Sequence, residues 1–171
     1  MPTILKTTKN EHGKPKNALD YAARLLAPRA MSEKTLREKL EKKEFAPEDI
    51  QYAVERLTEM GGLNDREFAQ TVARYYRNKG FGRQKVAQEL RRRGIGKELS
   101  DEVLEGFAPC SEKVVSYLEK VIQGNTHDKR MIRKAAAGLY RRGFSWEQID
   151  AAIDVYCDDT WQEEEKTETE E

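Results

Sequence analysis

The chain repeats itself, and the repeat decides what it can fold into. Three short segments, KLEKKEF, ELRRRGI and LYRRGF, recur about 50 residues apart. With them in register, Leu40, Leu90 and Leu139 coincide, as do Phe45, Ile95 and Phe144. Downstream, Val54 matches Leu104 and Ile153, and Leu57 matches Phe107 and Tyr156. A period in this range belongs to helical repeat proteins, in which each unit is too thin to bury its apolar face alone and stacks on its neighbours. Three helices of roughly 15–20 Å with short connections account for one period.

Helix signals fill the first unit. Ala18, Tyr21, Ala22, Leu25 and Leu26 recur at helical spacing until Pro28 stops the run. Ser32 offers an N-cap to a second helix that carries Leu36 and Leu40 on its apolar side. A third begins at Pro47, with Glu48 and Asp49 suited to a positive helix terminus. Its inward face is Ile50, Ala53, Val54 and Leu57, and Gly61-Gly62 ends it. The opening helices of the next two units are predicted over Asp65–Lys79 and Ser111–Ile122. Alternating Val, Ile and Thr runs are missing, so the fold class is all-α: three tandem three-helix, helix-turn-helix-like repeats in an elongated, curved array. The expected organisation is a flexible basic lead-in (1–16), repeats over 17–62, 63–108 and 109–157, and a disordered acidic tail (158–171) with little to bury.

Composition agrees with a thin-cored array. Charged residues make up 36% of the chain against 37% hydrophobic, where an average globular protein has roughly 25% charged. The net charge of +0 hides a segregation. From Arg74 to Lys97, nine Lys or Arg face Glu89 alone, and from Asp158 onward eight acids face Lys166 alone. Such asymmetry points to a polyanionic or acidic partner. Two cysteines, Cys110 and Cys157, are too few for a disulfide framework or a zinc site and read as reduced thiols. No apolar run approaches the ~18 residues that span a bilayer, and the N-terminal MPTILKTTKNEHGKPKN lacks the apolar centre of a secretory signal. A soluble cytoplasmic protein with no membrane association is the expectation.

Enzyme chemistry finds no purchase. His12 and His127 have no partner at ligand spacing, the glycines form no phosphate loop, and the serines sit in cap-like or helical settings. No cofactor, metal or catalytic residue is expected.

The basic segment RYYRNKGFGRQKVAQELRRRGIGK is the sharpest functional feature. Cations neutralise phosphates and exposed rings stack on unpaired bases, which is the mixture a single-strand binder uses. A solvated or protein-facing basic surface explains the same residues. Phe68, Val72 and Tyr75 lie about a turn apart, so Tyr75 is expected inward and Tyr76, rotated about 100°, outward. Gly94 and Gly143 read as left-handed helix ends, and Glu44 holds that place in the first unit, where the turn must differ or carry strain.

With these residues assembled, the chain resembles the RecX family of bacterial recombination regulators. The most distinctive block is GGLNDREFA (61–69), supported by FGRQKVAQELRRRGI, YRRGFSWEQI and the N-terminal ALDYAARLLAPRAMSEKTLREKLEKKEF, over roughly Ala18 to Tyr156. The resemblance implies a curved stack that lodges in the groove of a RecA–DNA filament and restrains the recombinase's ATPase and strand exchange. It also implies a part in DNA repair and the SOS response, with no catalytic set to transfer. Asn64 or Asp65 can cap the following helix, which needs no active site. The expected partner surface is Arg77, Arg83, Lys85, Arg91 and Arg92, with Tyr76 as a stacking group. The partners are the RecA filament and single-stranded DNA, and the chain is expected to be a monomer. The main rival is a direct duplex-DNA reader, which is disfavoured because the third helices, PEDIQYAVERLTEM, GKELSDEVLEGF and SWEQIDAAIDVY, are acidic. A helical scaffold for another protein is the second.

Overall fold

The computed structural model describes the backbone of residues 17–168 and the side chains of residues 17–158. The basic lead-in over 1–16 lies outside the described residues. Every element among them is helical: α1 (Ala18–Leu26), α2 (Glu33–Glu41), α3 (Pro47–Glu59), α4 (Asp65–Asn78), α5 (Arg83–Arg92), α6 (Lys97–Val103), α7 (Ser111–Ile122), α8 (Lys129–Arg141) and α9 (Trp146–Glu168).

Local chemistry sets the helix starts. Asn17 accepts the Asp20 N–H at 2.7 Å, Ser32 the Thr35 N–H at 3.2 Å and Asn64 the Glu67 N–H at 3.1 Å. Each side chain satisfies a donor that the first helical turn leaves without a partner. Ser145 and Gln148 cap α9 reciprocally, side chain to backbone in both directions, at 3.3 and 3.1 Å. Pro47 opens α3 with Glu48 and Asp49 behind it.

The helices pack in triplets, α1–α3, α4–α6 and α7–α9, with the main helix pairings inside each. Each triplet has its own core. The first holds Leu36, Leu40, Ile50, Val54 and Leu57, the second Val72, Val86, Leu90 and Leu104, and the third Leu118, Leu139, Phe144 and Ile149. Leu40, Leu90 and Leu139 occupy corresponding buried places, at 0, 0 and 1% exposure. The register read from the sequence is therefore the register of the fold.

Two expectations are corrected. α9 continues to Glu168 through the stretch expected to be an unstructured tail from Asp158. No Gly or Pro follows Gly143, and Gln, Glu and Lys are good helix formers, so nothing local stops the helix. The second correction concerns α4. Tyr76 packs half-buried against the second core, whereas Tyr75 is 56% exposed. The inward stripe is Ala69, Val72, Ala73 and Tyr76. Phe68 and Tyr75 flank it about 100° to one side. Two alanines at the centre of the stripe carry little hydrophobic signal, which shifted the apparent face.

Successive triplets are joined by one device used twice. The N-terminus of a middle helix abuts the C-terminal turn of the next middle helix. At the first joint, Ser32 and Thr35 at the start of α2 donate their hydroxyls to the Arg93 carbonyl beyond α5, Thr35 at 3.2 Å. At the second, the Gly82 N–H at the start of α5 donates to the Arg142 carbonyl beyond α8 at 2.8 Å, and Gln84 N–H to the Gly143 carbonyl at 3.1 Å. Helix donors without a partner thus meet helix acceptors without a partner, with dipoles aligned head to tail. A hydroxyl bridges the first joint; backbone meets backbone at the second, because Gly82 has no side chain.

Candidate interaction surface

Glu89 organises the basic segment from within. It is the only acid among nine cations, and it is buried at 6% exposure on α5. Its carboxylate accepts from Arg92 at 2.8 Å and from the Tyr76 hydroxyl, with Lys85 Nζ at 3.5 Å and Arg93 Nε at 4.0 Å. Burial pushes the Glu89 carboxyl up. The hydrogen bonds from Arg92 and Tyr76 and the charges of Arg92 and Lys85 outweigh it, so the group lies below the usual glutamate range.

The six residues expected to form the partner surface therefore divide. Tyr76 and Arg92 belong to the Glu89 cluster, and Lys85 also reaches Gln88 at 3.2 Å. Arg77 donates from Nε to the Ala108 carbonyl at 2.9 Å, and Arg83 from Nη1 to the Leu104 carbonyl. Leu104 is the C-cap of α6, so Arg83 satisfies an end-of-helix acceptor, and both arginines fasten the segment that leads from α6 to α7. Arg91 alone of the six is exposed and has no side-chain partner among the described residues.

Asp65, in the GGLNDREFA block, does not cap its own helix; Asn64 does that. The Asp65 carboxylate instead accepts the Glu33 N–H at 2.7 Å, which ties α4 back to the start of α2 across the first joint. Burial raises its carboxyl; the Glu33 amide lowers it and the Glu33 charge raises it again.

Two features carried no sequence signal. Tyr140 and Trp146 stack at 5.1 Å and 20° on the third triplet while both are more than half exposed. Large exposed rings of this kind are what interface hot spots are made of. A cleft of about 250 Å³ opens at the first joint, with Arg29, Lys39, Arg92 and Arg93 around it and Phe68 and Met31 on its wall. Neither was findable from periodicity, since each unites residues from different helices. Among the described residues, no group of His, Cys, Asp and Glu is placed to hold a metal ion, and no helix is long and apolar enough to cross a membrane.

Taken together, fold and surface define a tandem array of three-helix units whose middle unit is rich in cations. Comparison with known proteins places that array. A model of the first three-helix domain of RecX matches residues 18–57, and one of the second three-helix domain matches residues 64–104. The Regulatory protein RecX of Chlorobaculum tepidum is 38% identical over 147 residues, spanning 84% of this chain and 90% of that protein. That of Trichlorobacter lovleyi is 38% identical over 138 residues, 76% of this chain and 89% of the other. The crystal structure of RecX from Lactobacillus salivarius superposes with a TM-score of 0.74 at 22% identity, covering 81% of this chain and 94% of that one, a likeness of fold. The chain belongs to the RecX family of regulatory proteins.

Proposed function

We propose that the chain is a non-enzymatic regulator that binds RecA and RecA–DNA filaments and restrains ATP hydrolysis and strand exchange. The observation that carries this reading is a tandem array of three triplets, joined at two corresponding positions, with cations concentrated on its middle unit. A filament groove is long and repeats along its axis. An array of units over 17–62, 63–108 and 109–157 offers weak contacts to several subunits at once, and linked contacts raise the effective concentration of each. Arg91, exposed and without a side-chain partner among the described residues, is the cation best placed to meet an acidic recombinase surface or a phosphate. Arg77, Arg83, Lys85 and Arg92 support it as charge held in place, and single-stranded DNA is the second partner. The protein works as a cytoplasmic monomer without a cofactor.

The test is a titration of the protein into RecA assembled on single-stranded DNA while ATP hydrolysis is followed. Hydrolysis should fall, and Arg91→Glu should require several-fold more protein for the same fall. Hydrolysis unchanged at equimolar protein would sink the reading. Tight sequence-specific binding to naked duplex would favour a direct DNA reader instead. That alternative has the acidic third helices against it, because duplex phosphate repels them.

A further inference from the structure

The two joints are homologous, and one of them is open. In the register that aligns Leu40, Leu90 and Leu139, Arg93 of the first joint corresponds to Arg142 of the second, Met31 to Phe81, and Phe68 to Tyr117. At the second joint the arginine lies over two rings. The Arg142 guanidinium lies over the Tyr117 ring at 4.5 Å and over the Phe81 ring at 5.6 Å, and reaches the Lys79 carbonyl at 3.5 Å. At the first joint one of the two rings is replaced by Met31. There Arg93 has an Nε without a hydrogen-bond acceptor, and its nearest carboxylate, Glu89, stands 4.0 Å away.

The space left is the cleft of about 250 Å³ beside Phe68 and Arg93. It continues into a second hollow of about 420 Å³ that shares Arg29, Met31 and Phe68. Cations crowd this opening. Arg92 is paired with Glu89, whereas Arg29 and Lys39 are exposed and have no side-chain partner among the described residues. Four cations and no acid line the first hollow, which leaves it positive, and Glu67 stands on the wall of the second.

We propose that this open joint binds a nucleotide of a single-stranded nucleic acid. The base lies against Phe68 and the Arg93 guanidinium, where the second joint keeps its own aromatic ring, and the phosphate sits among Arg29, Lys39 and Arg92. An unpaired base offers the flat face that a guanidinium and a ring accept regardless of sequence. A base within a duplex has no free face to offer, and a carboxylate side chain would leave the ring wall unused. The inference rests on the strand-contact part of the proposed function and moves its seat from the Arg77–Lys85 surface to the joint between the first two units.

The experiment uses the full chain and a fluorescein-labelled oligothymidylate of about twenty nucleotides, read by anisotropy across a salt series. Met31→Phe installs the ring that the second joint already has. It should fill the cleft, lower strand affinity about fivefold or more and leave the melting temperature equal or higher. Arg29→Glu with Lys39→Glu should lower affinity about tenfold or more and flatten the salt dependence by about one in slope. Lys120→Glu with Lys134→Glu, the same charge change on exposed sites of α7 and α8, should do less.

Equal losses in the two double variants would overturn the site, as would wild-type affinity in Met31→Phe. Both results would leave the recombinase reading intact, since no recombinase is present. A wild-type protein that fails to bind the strand at low salt would overturn the site and strand contact together. Displacement of the strand by oligoglutamate at equal charge would assign the cleft to an acidic peptide and overturn the nucleotide.

Discussion

The backbone N–H of Gly82 donates to the carbonyl of Arg142 at 2.8 Å, sixty residues away, with no side chain between the two strands of backbone. Gly143 completes the contact. Its φ is +87°, and a Cβ there would meet the Lys85 backbone nitrogen well inside van der Waals contact, with Lys85 Cα at 2.9 Å. Gly94, its counterpart at the first joint, has φ +86°, but an added Cβ would meet only side-chain atoms, Ser32 Oγ at 2.9 Å and Lys34 Cβ at 3.1 Å. Gly106, at φ +66°, has open space around it.

Alanine at these three glycines should therefore give a graded series. Gly106→Ala costs the left-handed strain alone, about 1 kcal/mol. Gly94→Ala adds the displacement of flexible side chains, for about 2 kcal/mol in all. Gly143→Ala drives a methyl into backbone and should cost about 3 kcal/mol or more. Urea denaturation midpoints check the order. Equal losses at 94 and 143 would mean that the second joint is not the rigid one.

Glu44 stands at the corresponding turn of the first unit with φ +59°. The turn keeps its left-handed form and carries the strain, one of the two outcomes the sequence allowed. Among the described residues no neighbouring unit packs on this exposed turn, so glycine is not demanded by contact. Glu44→Gly should stabilise the protein by up to about 1 kcal/mol, less whatever the added freedom of the unfolded chain removes. Thermal melts of the two proteins decide it.

The fold was legible because its determinants are local and repeated. Leu40, Leu90 and Leu139 mark one register three times, and Ser32, Asn64 and Pro47 announce helix starts within a few residues of themselves. The surface was much less legible. Arg77 and Arg83 look like free cations in the sequence, yet their acceptors are the carbonyls of Ala108 and Leu104, and carbonyls leave no trace in residue identity. Glu89 looked like a lone exception in a basic run and is its internal counter-ion. Gly94 and Gly143 read as helix ends in the sequence, and they are. That they are also contact points between units depends on residues sixty positions away.

Arg83 and Arg91 should separate structure from binding. Arg83→Ala frees the Leu104 carbonyl at the end of α6 and should cost about 1 kcal/mol of stability. Arg91→Ala removes an exposed side chain with no partner among the described residues and should leave stability within about 0.5 kcal/mol of wild type. Its effect should appear in filament affinity instead. Chemical denaturation beside filament binding reads both, and a melting loss for Arg91→Ala equal to that of Arg83→Ala would contradict the assignment.

Asp65 tests the first joint by chemistry rather than size. Its carboxyl is raised by burial, so the charged form is disfavoured by folding, and this contribution to stability grows as pH falls through the folded-state value. Asparagine keeps an acceptor for the Glu33 N–H and removes the repulsion from Glu33. Asp65→Asn should be as stable as wild type or more so at neutral pH, whereas Asp65→Ala should lose about 1 kcal/mol with the bond. Midpoints in urea at neutral pH compare the pair.

Glu89 makes the opposite prediction for acid. Hydrogen bonds from Arg92 and Tyr76 and nearby charges hold its carboxyl below the unfolded value of about 4.3 despite burial. The folded state thus releases this proton more readily than the unfolded one. The resulting stability is fully present above the unfolded value and is lost as pH falls through the folded one. Glu89→Gln keeps the shape but removes the charge that Arg92, Lys85 and Arg93 share, and should cost about 1–3 kcal/mol at neutral pH. In acid the wild-type carboxyl is itself protonated, so the difference between the two proteins should shrink toward zero below about pH 4. Urea midpoints for both proteins across pH 3 to 7, at fixed salt, follow that convergence. A constant gap over the range would show that the charge of Glu89 contributes nothing and that only its packing matters.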